Sequence, residues 1–131
     1  MSQIAIGLMG LTAALVASVG PGAAQDYPAK AIRMIVPFPP GGGTDLLSRV
    51  VANKLSESLK QPFVIENKPG AGGNIGVDLA AKSAADGYTI VMGQTSNMAV
   101  NATLYPKLPY DPLKDLTPIA LVADSPILMV V

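Results

Sequence analysis

The chain has 131 residues, and its nine basic side chains balance its nine acidic ones. This length accommodates one domain of ordinary size. The balanced charge gives no indication of nucleic acid or of an acidic membrane surface as a partner. The sequence contains neither His nor Cys, which excludes disulfides, thiol nucleophiles, ordinary zinc sites and a histidine general base.

The first 25 residues carry no charged side chain and include a continuous apolar stretch from Ile4 to Val19. A Gly-Pro pair follows, and then Gly22 and Ala24 supply the small residues expected just before a cleavage after Ala24. This pattern predicts a cleaved secretory signal peptide over residues 1–24. The opening "MSQ" lacks the usual basic residue, and a retained anchor or a buried helix is the alternative interpretation.

Strand and helix patterns alternate after the signal. Ile32–Val36 is short, apolar and followed by proline, which predicts a buried strand. Thr44–Lys60 carries an apolar stripe that predicts a helix, formed by Leu47, Val51, Leu55 and Leu59. The further predicted elements are strand Phe63–Glu66, helix Asn74–Lys82 with Ile75, Leu79 and Ala80 facing inward, strand Tyr88–Met92 and a short helix Met98–Tyr105.

Two more apolar runs, Ile119–Ala123 and Ile127–Val131, are predicted as strands after a proline-rich crossing. The sequence shows three strand–loop–helix repeats, and apolar and polar residues alternate little within the strands. This pattern predicts a mostly parallel sheet flanked by helices on both faces. The sequence ends inside an apolar strand pattern. We therefore expect residues 25–131 to be an incomplete N-terminal α/β domain of a longer protein, with a second domain absent.

Three loops of this pattern follow the ends of strands, and ligands of parallel α/β sheets bind at that edge. They are "PPGGGTD" at 39–45, "NKPGAGGN" at 67–74 and "GQTSNM" at 93–98. Each leads into a predicted helix, whose first N–H groups and partial positive charge favour an anion. Glycine lets the backbone approach the ligand closely. The alternative interpretation is that glycine and proline serve only to turn the chain.

The kind of anion is limited by what the loops lack. "GGGTD" has no lysine of a Walker loop, and "GAGGNIG" is only a near miss to the dinucleotide fingerprint. The sparse positive charge would neutralise a polyphosphate poorly, so a carboxylate fits better. Ser96, Ser48 and Thr44 have no histidine partner and no G-x-S-x-G elbow, so no catalytic residue is predicted. Asp45 is expected to interact with the helix start or the loop amides.

Four stretches in combination carry a family resemblance: "VPFPPGGGTD", "ENKPGAGGNIG", "DGYT" and "YDPLKDLTPIA". Together they resemble the periplasmic receptors of tripartite tricarboxylate transporters, also called Bug receptors. The resemblance implies a periplasmic-binding-protein-like Venus-flytrap fold, of which this chain covers most of the first domain. It also implies a periplasmic protein that is not an enzyme, needs no cofactor or metal and is monomeric at full length. Its partners would be a small organic acid and the small and large integral-membrane subunits of a transporter.

The family's motifs, carried onto this sequence, place the ligand contacts in the three loops, through amides, hydroxyls and ordered waters. The implied contacts are Gly41, Gly42, Gly43, Thr44 and Asp45, then Ala71, Gly72, Gly73 and Asn74, then Thr95, Ser96 and Asn97. Family members are longer, so the far wall of the cleft is expected from a second domain. The alternative functions are the first domain of a secreted α/β enzyme acting on an anionic substrate, or a nonfunctional receptor fragment.

Overall fold

The computed structural model describes residues 26–125, so the predicted signal peptide and the predicted strand Ile127–Val131 lie outside the described residues. Its elements in chain order are β1 (Ile32–Val36), α1 (Gly43–Leu59), β2 (Phe63–Asn67), a 3₁₀ turn (Ala71–Gly73), α2 (Asn74–Ala81), β3 (Thr89–Val91), a π-helical turn (Ser96–Val100) and α3 (Asn101–Leu104). In this part of the chain, no helix combines the length and apolar character that a membrane span requires.

The three strands form one parallel sheet in the order β2-β1-β3. In its register, Met34 of β1 lies opposite Ile65 of β2 and Ile90 of β3. Right-handed crossovers in this order place α1 and α2 on opposite faces of the sheet. Accordingly, α1 packs on β1 and β2, while α2 packs on β1 and β3. The predicted parallel sheet flanked by helices is confirmed.

The central strand β1 forms the core. Ile32, Met34, Ile35 and Val36 are each no more than 2% exposed, and burying such a side chain contributes about 1.5–3 kcal/mol. The remaining residue, Arg33, is half-buried and pairs with Glu66 of β2 at 2.8 Å between Nε and Oε1. The strand that carries the first loop is therefore the most firmly held part of the sheet.

Helix α1 buries a face that overlaps only in part with its leucine stripe. The buried residues of α1 are Asp45, Ser48 and Ala52, and the predicted leucine stripe lies beside them, half-buried or exposed. Short side chains permit a close approach between helix and sheet. The buried Ser48 hydroxyl has a hydrogen-bond partner within the helix, because it donates to the Thr44 carbonyl at 2.6 Å.

Helix α2 is rotated relative to the prediction, in which Ile75, Leu79 and Ala80 face inward. Ala80 is half-buried, but Ile75 and Leu79 are 55% and 37% exposed, so the expectation is wrong for these two residues. The inward face is formed by Gly76 and Val77. A Cβ on Gly76 would lie 2.7 Å from the Cβ of Pro37, so close backbone packing at this glycine fixes the rotation of the helix.

The predicted strand Ile119–Ala123 does not form. Its backbone pairs with none of the strands in residues 26–125, and Ile119 and Leu121 are both 80% exposed. A strand needs a neighbour that satisfies its N–H and C=O groups, and an apolar run alone does not supply one. The predicted helix Met98–Tyr105 does form, but it begins two residues earlier, as the π-helical turn at Ser96.

Candidate ligand-binding site

The three loops meet at the carboxyl edge of the sheet. β1 and β3 are adjacent and parallel, so the loops that follow them lie side by side at this edge, which is where α/β folds bind ligands. The first and third loops are joined there by Gln94, whose Nε2 donates to Thr44 Oγ1. The second and third loops also touch, because Asn97 Nδ2 occupies the place that a Cβ on Gly73 would take.

The first loop presents main-chain donors. The N-cap of α1 is Gly42, which has an extended backbone (ψ 166°). Glycine has no side chain, so the first N–H groups of the helix receive no capping hydrogen bond from it. The first intrahelical bond runs from Leu46 N–H to the Gly42 carbonyl at 3.0 Å. The N–H groups before it have no partner within the helix, and the helix dipole adds partial positive charge. This end of α1 therefore offers a neutral-backbone site for an anion.

Asp45 is turned inward, where it clamps the first loop. It is 2% exposed, and its oxygens accept hydrogen bonds from Gly41 N–H (2.9 Å), Arg49 Nε (2.9 Å) and Asn67 Nδ2 (2.9 Å). The Arg49 guanidinium is the main reason that the pKa of the Asp45 carboxyl lies well below its ordinary value; the Gly41 and Asn67 donors lower it further. Asn67 also donates to the Phe38 carbonyl at 3.1 Å, which ties the end of β2 to this loop.

A buried network of amides and one phenol holds the second and third loops together. Asn101 Nδ2 donates to Asn74 Oδ1 at 2.6 Å, and the Tyr110 hydroxyl lies 2.7 Å from the Asn97 carbonyl and 3.0 Å from Asn74 Oδ1. All four residues are at most 5% exposed. Burial raises the pKa of the Tyr110 hydroxyl, with a further contribution from the charge of Asp78, so the phenol remains a neutral donor.

Comparison with known proteins identifies the family. The model of the tripartite tricarboxylate transporter family receptor matches residues 47–131. The chain belongs to this family. BugT of Bordetella pertussis is 48% identical over 126 residues, which are 95% of this chain but 39% of BugT. The chain therefore spans well under half the length of this relative.

Two solved structures of similar proteins confirm the fold. MatC from Rhodopseudomonas palustris, solved with bound malate, is 38% identical with a TM-score of 0.71, covering 73% of this chain and 33% of MatC. The periplasmic binding protein BugD is 35% identical with a TM-score of 0.62, covering 68% of this chain and 29% of BugD. The periplasmic-binding-protein-like α/β architecture is thus confirmed for the part of the chain that these structures cover.

The twelve residues implied by the receptor family's motifs divide into two groups in the structure. Eight are exposed or half-buried and are available to a ligand: Gly41, Gly42, Gly43, Thr44, Ala71, Gly72, Thr95 and Ser96. Four are buried: Asp45, Gly73, Asn74 and Asn97. The buried side chains fix the loops through hydrogen bonds. Gly73 is required at its position, because its φ is 93° and the Asn97 amide fills the space of a Cβ.

The sequence does not single out Asn67, Asn101 or Tyr110 as residues that hold the loops together. Arg49, in a helix pattern, is expected to face solvent or form an ion pair, and it pairs with Asp45. Tyr110 lies in the "YDPLKDLTPIA" stretch, which carried the family resemblance, and that was the only sequence signal for it. Within residues 26–125, no group of three or more acidic side chains is placed to hold a metal ion.

The Asp45 clamp predicts a pH dependence of stability. The pKa of the Asp45 carboxyl is lowered on folding. Its contribution to the free energy of unfolding is therefore fully present above the ordinary pKa near 3.8, and is lost as the pH falls below that value. Asp45→Asn should lower the thermal unfolding midpoint at about pH 6, and the difference from the unaltered protein should shrink towards about pH 2.5. Differential scanning calorimetry of both proteins between these two pH values measures the difference in unfolding midpoint.

The matched control for this prediction is Glu57→Gln. Glu57 belongs to an exposed pair with Lys54, whose side chains are 65% and 75% exposed, and such surface pairs contribute little to stability. Its midpoint should follow that of the unaltered protein at every pH. If the Asp45→Asn difference were the same at low and neutral pH, the ionised clamp would not be the source of the stability.

Proposed function

We propose that this chain is the ligand-binding part of a periplasmic solute receptor that captures a small carboxylate-bearing metabolite. The observation that carries the proposal is the uncapped N-terminus of α1, gathered with two further loops at one sheet edge. The family membership and the similarity to MatC, which was solved with bound malate, support a carboxylate as the ligand.

The main-chain N–H groups of the loops can bind a charged ligand through charge-assisted hydrogen bonds. Each such bond contributes about 1.5–3 kcal/mol, so a handful offsets the cost of association and gives about micromolar affinity. The Asp45 carboxylate lies close to the first loop but does not repel the ligand strongly, because Arg49 and two neutral donors already neutralise and enclose it. The site therefore needs no arginine directed at the ligand.

In the proposed receptor, a second domain forms the opposite wall of the cleft and closes over the ligand by a hinge motion. Closure would create the surface that the small and large integral-membrane subunits of a tripartite transporter recognise, so that only the loaded receptor delivers its ligand. The signal peptide over residues 1–24 would direct the chain to the periplasm, where the full-length receptor acts as a monomer.

Calorimetry of the intact receptor tests the proposal. The ligands are malate, succinate, citrate and glutarate, with the corresponding amides as neutral controls of nearly the same shape. We expect at least one acid to bind with one-to-one stoichiometry, its amide to bind far more weakly, and the ligand to be recovered unchanged. A product formed from the acid would favour an enzyme of the same fold, and absence of binding by every acid would contradict the receptor function.

A further inference from the structure

We propose that Gln94, which is not among the residues implied by the family's motifs, is a specificity-determining contact of the carboxylate site. The inference rests on the proposed function and extends it. Gln94 lies in the third loop, three residues after the end of β3. Its side chain reaches Thr44 at the start of α1.

The backbone of Gln94 is fixed from both sides. Its N–H donates to Asn97 Oδ1 at 2.9 Å, and its carbonyl accepts from Met98 N–H at 2.9 Å. Asn97 is fully buried, and two residues before Gln94 the chain is bonded to the central strand, from Met92 N–H to the Ile35 carbonyl at 2.9 Å. The Gln94 side chain is exposed, so the side chain is the part of this residue that a ligand can contact.

The carboxamide lies where the proposed ligand must pass or bind. Thr44 is the second residue of α1, within the first turn, whose N–H groups have no side-chain cap. Gln94 Nε2 reaches this turn across a separation of 50 residues in the chain. An anion that approaches the uncapped N–H groups therefore comes close to the Gln94 carboxamide and the Thr44 hydroxyl.

The number of donors in the pair decides which chemistry it favours. The carboxamide and the hydroxyl together carry three donor hydrogens, and the hydrogen bond that joins Gln94 to Thr44 uses one of them. The pair therefore offers two further donors beside the main-chain N–H groups. Donors of this kind select an ionised carboxylate over its amide, and an acidic side chain at position 94 would reverse that preference.

The test compares Gln94→Glu, Gln94→Ala and Thr44→Val with the unaltered intact receptor. The probe is whichever of malate, succinate, citrate and glutarate the unaltered protein binds, titrated in a calorimeter. We expect affinity to fall by about 30-fold or more in Gln94→Glu and by about 5- to 10-fold in Gln94→Ala and in Thr44→Val. The double variant Gln94→Ala, Thr44→Val should fall by less than the product of the two single effects, because the two groups act as one unit.

Two controls separate a ligand contact from a general effect. Gln61→Glu introduces the same charge before β2, at the opposite edge of the sheet, and should leave the affinity unchanged. The thermal unfolding midpoint of Gln94→Ala should equal that of the unaltered protein, because the side chain is exposed. Equal affinity of Gln94→Glu and the unaltered receptor would overturn this inference alone, whereas failure of the unaltered receptor to bind any of the four acids would overturn the proposed function as well.

Discussion

Replacing Gly76 with alanine is expected to destabilise the domain by about 2–3 kcal/mol, because a methyl group has no space at this position. The added Cβ would lie 2.7 Å from Pro37 Cβ, 2.8 Å from the Lys68 carbonyl oxygen and 2.9 Å from Pro37 Cα. Two of these atoms belong to the backbone, so a rotamer change cannot relieve the overlap. Pro37 lies between β1 and the first loop, and Lys68 lies in the second loop, so the relaxation would also displace the site.

Denaturant unfolding monitored by circular dichroism measures this change, and Gly43→Ala is the matched control. Gly43 is also a helical residue, but nothing lies within 4 Å of a Cβ built on it. Alanine exceeds glycine in helix propensity by up to about 1 kcal/mol, so Gly43→Ala should be neutral or slightly stabilising. Equal free energies of unfolding for the two variants would show that α2 does not pack closely at Gly76.

The order of elements could be predicted from the sequence because its signals are local. Apolar runs without alternation mark β1 and β2, and loops rich in glycine mark the points where strands give way to helices. The predicted helix Thr44–Lys60 and the observed Gly43–Leu59 differ by one residue at each end. The parallel sheet then follows, because a strand–helix–strand unit of this length has few other arrangements.

The rotation of the helices could not be predicted in the same way. Leucine spacing marks an apolar stripe, but the face that packs most closely is decided by small residues such as Ala52 and Gly76, which let the backbones approach each other. The predicted strand Ile119–Ala123 failed for a related reason. Its apolar pattern is strong, but a strand exists only where a neighbour pairs with it, and a local pattern carries no information about that neighbour.

The gathering of the three loops follows from the parallel topology, but the inward or outward direction of each side chain does not. The family's motifs imply Asn97 and Asp45 as ligand contacts, and in the structure both are buried and hold the loops from inside. The hydrogen bond from Gly41 N–H to Asp45 is the contact with a loop amide that the sequence predicts. An asparagine or aspartate at a helix start suits a cap, a buried clamp or a ligand equally well. Gln94 and Tyr110 were missed because their partners lie 50 and 36 residues away.

Replacing Gly43 with proline is expected to weaken carboxylate binding by about 10-fold to 100-fold while leaving stability nearly unchanged. Gly43 is the first residue of α1, and its N–H lies before the first intrahelical bond. Proline is tolerated at this position, since it removes only an N–H that the helix does not use. The preceding residue, Gly42, already has the extended backbone (φ −76°, ψ 166°) that a residue before proline requires.

This substitution tests the main-chain donor itself, which no side-chain deletion can do. Calorimetry with the acid that the intact receptor binds gives the affinity, and Gly43→Ala is again the control, since it adds bulk at the same position but keeps the N–H. If Gly43→Pro bound the acid as tightly as Gly43→Ala, the α1 terminus would contribute no hydrogen bond to the ligand. If both variants lost affinity equally, steric exclusion would replace the lost donor as the explanation. Only a selective loss in Gly43→Pro shows that the exposed backbone of a glycine loop binds the carboxylate directly.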